Sequence, residues 1–193
     1  MKVSCAILAG GRSTRMGQDK ATLLFDGAML TARVYETARR VVEKVFIVSS
    51  QHRRFDGMDV PLVGDCLPFP SPLVGIASAL MFAGTEYVFV LGCDMPYIRE
   101  EGLLCIVNKA GGEDVIIPRT PEGLEPLHAM YGRACLAPAL YLLEHGRFRI
   151  MDLFAYVKVK ELAPDPSFRN RGLSVFTNIN NRGDLDRFAR HGA

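Results

Sequence analysis

No apolar run in these 193 residues approaches the roughly 18 that a membrane span requires. Basic and acidic residues nearly cancel, 23 against 21, for a formal charge of +2. The chain therefore has no net field to hold nucleic acid or a membrane surface, and any anion must be bound at a local site. The five cysteines (Cys5, Cys66, Cys93, Cys105 and Cys135) form no CxxC pair, and their odd count would leave a free thiol in a secreted form. Met1 leads into a short apolar strand without a basic leader segment, so no export is expected and a reducing cytoplasm is the simpler setting. His52, His128, His145 and His191 lack metal-ligand spacing and are expected to pack or face water, not to bind zinc. Neither a Walker A loop nor a GxGxxG fingerprint is present. No Ser-His-Asp or paired-carboxylate constellation stands out either.

What is there is the composition of an ordinary globular domain, 49% apolar and 23% charged. A chain of this size buries about 70% of its unfolded surface and needs no disulfide or structural metal. With no repeat, low-complexity tract or linker, residues 1–193 are expected to form one domain.

Short β-branched and aromatic runs alternate with helical patterns, the sign of a mostly parallel sheet covered by helices. The expected fold class is α/β, a three-layer domain with a mostly parallel, mixed central sheet. Strands are predicted at Val3 to Leu8, Val45 to Val48, Val60 to Val63, Tyr87 to Leu91, Val115 to Pro118, Leu127 to Tyr131, Val157 to Glu161 and Val175 to Ile179. Helices are predicted from Leu30 through Val41, and at Pro72 to Phe82, Glu100 to Lys109, Cys135 to Glu144 and Ile150 to Ala155. A last helix is predicted from about Gly183, a turn at Asp26 and Gly27, and a surface loop at Ser167 to Arg171. The continuous apolar run of Tyr87 to Leu91 suggests a central strand buried on both faces.

The first strand runs into Leu8-Ala9-Gly10-Gly11-Arg12-Ser13-Thr14-Arg15-Met16-Gly17-Gln18-Asp19-Lys20. Paired glycines let backbone approach a ligand, so consecutive N–H groups can point at phosphate oxygens, and Arg15 and Lys20 add two cations. A solvated turn is the plain alternative. The central strand ends in Gly92-Cys93-Asp94-Met95-Pro96, which puts a carboxylate where ligands gather in open α/β sheets. Asp94 suits Mg²⁺, which keeps several waters and takes its other ligands from phosphates; its plain alternative is a helix cap. Asp65 lies in a Gly-Asp-Cys segment where a turn alone could call for it.

Together these segments resemble the molybdenum cofactor guanylyltransferases of the MobA type, within the Rossmann-like nucleotidyltransferases. Their LAGGxxxRMGxDK loop is matched at Leu8 to Lys20. GPLxGI is similar to Pro72-Leu73-Val74-Gly75-Ile76, and CDxP to Cys93-Asp94-Met95-Pro96. PLxAxY is similar to Pro126-Leu127-His128-Ala129-Met130-Tyr131, and a late NxN to Asn178-Ile179-Asn180. The five matches fall in the family's order and cover most of the chain.

The resemblance implies transfer of GMP from Mg²⁺-GTP to molybdopterin. Leu8, Ala9, Gly10 and Gly11 would meet the nucleotide through backbone, and Lys20 and Arg15 would hold phosphate charge. Asp65 and Gly75 would hold guanine, Asp94 the magnesium, and Asn180 the molybdopterin side. It further implies contact with molybdenum insertion proteins and target apoenzymes, and no nucleic acid or membrane partner. The chain departs from the family at Ser71, where glycine is usual, and at Ser49, where some members place asparagine. It departs again at Asn181-Arg182-Gly183-Asp184-Leu185, where TPEDL is usual.

The chemistry fits independently. A terminal phosphate with a second pKa of about 6 is already largely ionised at pH 7, so no general base is needed. Crowded phosphate charge is what must be neutralised. Related cytidylyltransferases carry LAAG in place of Leu8-Ala9-Gly10-Gly11, so guanine is the expected base. The alternatives are a cytidylyltransferase of molybdopterin, a guanylyltransferase of another small phosphorylated acceptor, and a non-catalytic nucleotide-binding adaptor.

Overall fold

The computed structural model describes residues 1–10, 22–51, 55–179, 183, 184 and 187. β1 (Val3–Leu8) is followed by a hairpin of β2 (Leu24–Phe25) and β3 (Ala28–Met29). Its Asp26-Gly27 turn has φ of 48° and 78°, the paired positive values a tight hairpin turn requires. Next come α1 (Leu30–Ala38), β4 (Lys44–Val48), β5 (Leu62–Val63), α2 (Pro72–Ala83), β6 (Tyr87–Gly92) and α3 (Glu100–Val107). β7 (Val115–Thr120), β8 (Gly123–Leu124) and β9 (His128–Gly132) precede α4 (Leu136–Glu144) and α5 (Ile150–Leu153). β10 (Val159–Leu162), β11 (Arg169–Asn170) and β12 (Leu173–Ser174) follow, and residues 183, 184 and 187 are helical.

The main sheet has the order β10-β7-β9-β6-β1-β4-β5, with β8 paired to β7. Its pairs are parallel except those of β9 with β6 and β7, and of β8 with β7. The period-two alternation of strands sorts the core into two layers. Cys5, Ile7, Ile47, Phe89 and Leu91 meet Val34, Ala38, Leu103 and Ile106 of α1 and α3. Ala6, Phe46, Val88 and Val90 meet Val74, Ala77, Ala139 and Leu142 of α2 and α4 on the other face. Because β6 is buried on both faces in mid-sheet, its whole run is apolar, as its sequence predicts.

α2 starts on a built cap: the Ser71 hydroxyl accepts from the Leu73 N–H and Pro72 fills the first turn, where a missing N–H costs nothing. α1 is shorter than its periodicity predicts. Leu30, Val34 and Ala38 are buried, but the chain turns after Ala38, whose carbonyl accepts from both Val41 and Val42. The predicted third strand shrinks to the two residues of β5.

One predicted strand is absent. Val175 to Ile179 is irregular, although Val175, Phe176 and Ile179 are buried. Its amides bond locally and to the site: Val175 to the Phe168 carbonyl, Thr177 to Ser174, and Ile179 to the Asp94 carbonyl at 2.9 Å. Its apolar residues pack onto the core without joining a ladder. Ser167 to Arg171 is likewise more than a surface loop, because it buries Phe168 and supplies β11.

Candidate active site

The strand order reverses at β1: the chain runs from β1 to β4 and β5 on one side, then returns to place β6 on the other. The carboxyl ends of β1 and β6 flank the crevice that such a reversal opens. They end in register, with Leu8 opposite Gly92, and the Cys93 N–H donates to the Leu8 carbonyl at 3.3 Å. Leu8 and Asp94 therefore leave the sheet side by side.

Asp94 is half-buried between buried Cys93 and Met95. It lies in a turn, and α3 begins only after Arg99, so it does not cap that helix. A Cβ built on Gly92 would lie 2.9 Å from Asp94 Oδ1. The glycine thus leaves the room in which this carboxylate sits. The Ile179 N–H holds the Asp94 backbone from the far side.

On the other side of β1, Leu8, Gly10, Asp65, Ser71 and Gly75 line a cavity of about 170 Å³, with Val48 and Leu127 among its other walls. A void of about 150 Å³ accepts benzene, so this one is of ring size. Gly75 leaves room for Leu8: a Cβ there would stand 3.0 Å and 3.2 Å from the Leu8 methyls, which would have to give by a few tenths of an ångström. Asp65 faces Gly10, with Oδ2 4.0 Å from the position a Gly10 Cβ would take. Burial pushes the Asp65 carboxyl above the usual carboxylate range. The turn around it is held instead by Ser78, whose hydroxyl accepts from the Cys66 N–H at 2.8 Å.

Ala9 does not line this cavity. Its N–H donates to the Val48 carbonyl at 3.0 Å and its carbonyl accepts from the buried Ser49 hydroxyl at 3.3 Å. Amides directed at a ligand can begin only with Gly10. Ser49, where an asparagine contact to the base is a family option, ties the β1 and β4 exits together. Ser71, the other departure, donates to the Phe148 carbonyl at 2.9 Å and so joins the start of α2 to the loop before α5. Gly11, Arg15, Lys20 and Asn180 lie outside the described residues. Asn178, in the same late motif, keeps a buried Oδ1 without a hydrogen-bond partner.

Val48 and Leu127 were not legible as cavity walls, since each is one apolar residue at a strand end. His128, expected to pack or face solvent, is fully buried between Phe89 and Phe176, at ring distances of 5.6 Å and 4.9 Å. Burial lowers its pKa to about 3. Among the described residues no group of three or more His, Cys, Asp or Glu could hold a metal ion, and no helix is long and apolar enough to cross a membrane.

An open, mostly parallel sheet with a ring-sized cavity and a carboxylate at its reversal point is the setting in which α/β folds bind nucleotides. Residues 5–159 match the family described as the MobA-like NTP transferase domain, and the chain belongs to that family. The molybdenum cofactor guanylyltransferase of Desulfosudis oleivorans is 34% identical over 96% of this chain and 93% of that protein. An Aquifex aeolicus protein named "Probable molybdenum cofactor guanylyltransferase" is 32% identical over 95% of this chain and 89% of its own length. The crystal structure of molybdopterin-guanine dinucleotide biosynthesis protein A from Archaeoglobus fulgidus superposes with a TM-score of 0.83 at 24% identity, covering 98% and 97% of the two chains.

Proposed function

We propose that the protein transfers GMP from GTP to the terminal phosphate of molybdopterin, working as a single domain in the cytoplasm. A phosphate oxygen of the acceptor attacks the α-phosphorus, the bond to the β-phosphate oxygen breaks, and pyrophosphate leaves. The names of the relatives support the reaction. The observation that carries the base is Asp65, a half-buried carboxylate that takes no hydrogen bond among the described residues and faces Gly10 across a ring-sized cavity. Guanine offers two donors side by side, N1–H and the exocyclic amino group, and one carboxylate accepts both. Cytosine has no such pair.

Asp94 fits a magnesium ion by its chemistry: a single carboxylate at a strand end is enough for Mg²⁺, whereas zinc needs a closed set of side chains. When bound, Mg²⁺ would neutralise charge on the phosphates. Gly10 and Gly11 would bring backbone N–H groups to the phosphates, and Lys20 and Arg15 would add positive charge as pyrophosphate departs. The acceptor phosphate arrives ionised, so no side chain has to remove a proton.

The test is magnesium-dependent pyrophosphate release from GTP with molybdopterin under anaerobic conditions. Release that Asp94→Ala abolishes, in a variant with an unchanged circular dichroism spectrum, is the expected result. Binding of GTP without release would refute the reading.

A further inference from the structure

Two of the walls that shape the cavity beside β1 come from different elements: Asp65 from the turn after β5, and Gly75 from α2. The Asp65 side chain takes no hydrogen bond among the described residues, so only its own backbone aims the carboxylate. That backbone is thinly held. From Gly64 to Pro70, among the described residues, the main-chain group that takes a hydrogen bond is the Cys66 N–H, and it donates to the Ser78 hydroxyl at 2.8 Å.

Ser78 lies in the interior of α2 and is 2% exposed. Its hydroxyl donates in turn to the Val74 carbonyl, one helical turn back, at 2.8 Å. Helical serines commonly bond the carbonyl four residues before them, so that bond alone needs no further explanation. Acceptance of an amide from a separate segment does. Cys66 follows Asp65 in the chain, and Val74 precedes Gly75. One buried hydroxyl, with one proton to give and lone pairs to receive another, thus joins the neighbour of the carboxylate to the neighbour of the glycine. The Cys66 thiol spans the same junction, 3.9 Å from the Val74 carbonyl.

Loss of this oxygen would fall unevenly on its two partners. The Val74 carbonyl keeps its place in the helical ladder. The Cys66 N–H would have no acceptor, and the turn that bears Asp65 would have to shift to find one.

We propose that Ser78 is a positioning residue for base recognition, its hydroxyl setting the Asp65 carboxylate at the spacing from Gly10 and Gly75 that admits the guanine edge. Ser78 does not itself line the cavity; it acts through Asp65. This inference rests on Asp65 being the guanine contact.

The test measures binding of GTP and of inosine triphosphate, which lacks the exocyclic amino group, by titration calorimetry. Wild type, Ser78→Ala, Asp65→Asn and the double variant are compared. Ser78→Ala removes one oxygen and puts the best helix former in its place, so the variant folds. It should bind GTP roughly three- to tenfold more weakly, the worth of one hydrogen bond. It should lose less on inosine triphosphate, so that the preference for the amino group narrows. Because the hydroxyl acts through the carboxylate, adding Ser78→Ala to Asp65→Asn should change GTP affinity less than about twofold.

An unchanged preference in Ser78→Ala, even with a lower unfolding temperature, would make the serine a residue of the fold and overturn the inference. Equal losses in both backgrounds would overturn it too, since the two residues would then act separately. If Asp65→Asn leaves GTP binding intact, the guanine contact falls and the role of Ser78 with it. If Asp65→Asn weakens GTP binding and Ser78→Ala does not, this inference alone falls. GTP binding that follows both residues, without pyrophosphate release in the presence of molybdopterin, would uphold it and refute the transfer.

Discussion

Asp65 and Gly10 face each other across the cavity, with the carboxylate Oδ2 4.0 Å from the place a Gly10 Cβ would take. Gly10→Ala therefore meets no clash among the described residues, but its methyl group takes room opposite the carboxylate. The variant should unfold at the wild-type temperature and lose part of its preference for GTP over CTP. Calorimetry and competition between the two nucleotides check both halves.

Asp65→Asn should lower kcat/KM for GTP by roughly 10- to 100-fold, the worth of a charge-assisted hydrogen-bond pair. Its stability should move the other way. Burial raises the folded pKa of Asp65 above the unfolded value, so the ionised carboxylate opposes folding above that range. At pH 7 the variant should unfold at the wild-type temperature or higher, and any gain should vanish as pH falls below the unfolded carboxyl's ordinary value of 3.8. Thermal unfolding at pH 7 and pH 3.5 reads the difference.

A Cβ on Gly92 would stand 2.9 Å from Asp94 Oδ1 and 3.6 Å from Met95 Cε. Both are ends of side chains, so Gly92→Ala should fold while displacing the Asp94 carboxylate. Misplacement of this kind costs on the order of 10²-fold in turnover. Turnover should fall with little change in unfolding temperature, and unaltered turnover would show that the placement of Asp94 is not critical.

Burial holds the folded pKa of His128 down at about 3, against an ordinary value of 6.5. A histidine held neutral in the fold contributes stability in full above the unfolded pKa and loses it as pH falls toward the folded one. The loss is about 1.4 kcal/mol per pH unit. From pH 6.5, where the unfolded histidine is half protonated, to pH 5, wild type should lose about 1.6 kcal/mol more than His128→Leu. Urea unfolding of the two proteins at both values gives the comparison.

The main sheet was largely legible because each of its longer strands is an apolar run between turn signals, and β6 announced its central place by being apolar throughout. Val175 to Ile179 misled for the same reason. Its apolar residues are buried as a strand's would be, but their amides reach Phe168, Ser174 and Asp94 instead of a neighbouring strand, which periodicity cannot reveal. In the site, Leu8, Gly10, Asp65, Gly75 and Asp94 all lie at the carboxyl edge, because motif spacing records where chains leave a sheet. Ala9 was expected to meet the nucleotide through its backbone, yet its N–H belongs to the β1–β4 junction.

The most direct test of the central claim is a comparison of GTP, CTP, ATP and UTP as donors to molybdopterin, read as magnesium-dependent pyrophosphate release by wild type and Asp65→Asn. The account predicts release from GTP alone in wild type, and a lower rate with weakened base preference in the variant. Release from CTP by wild type, or a GTP preference that survives Asp65→Asn intact, would contradict it.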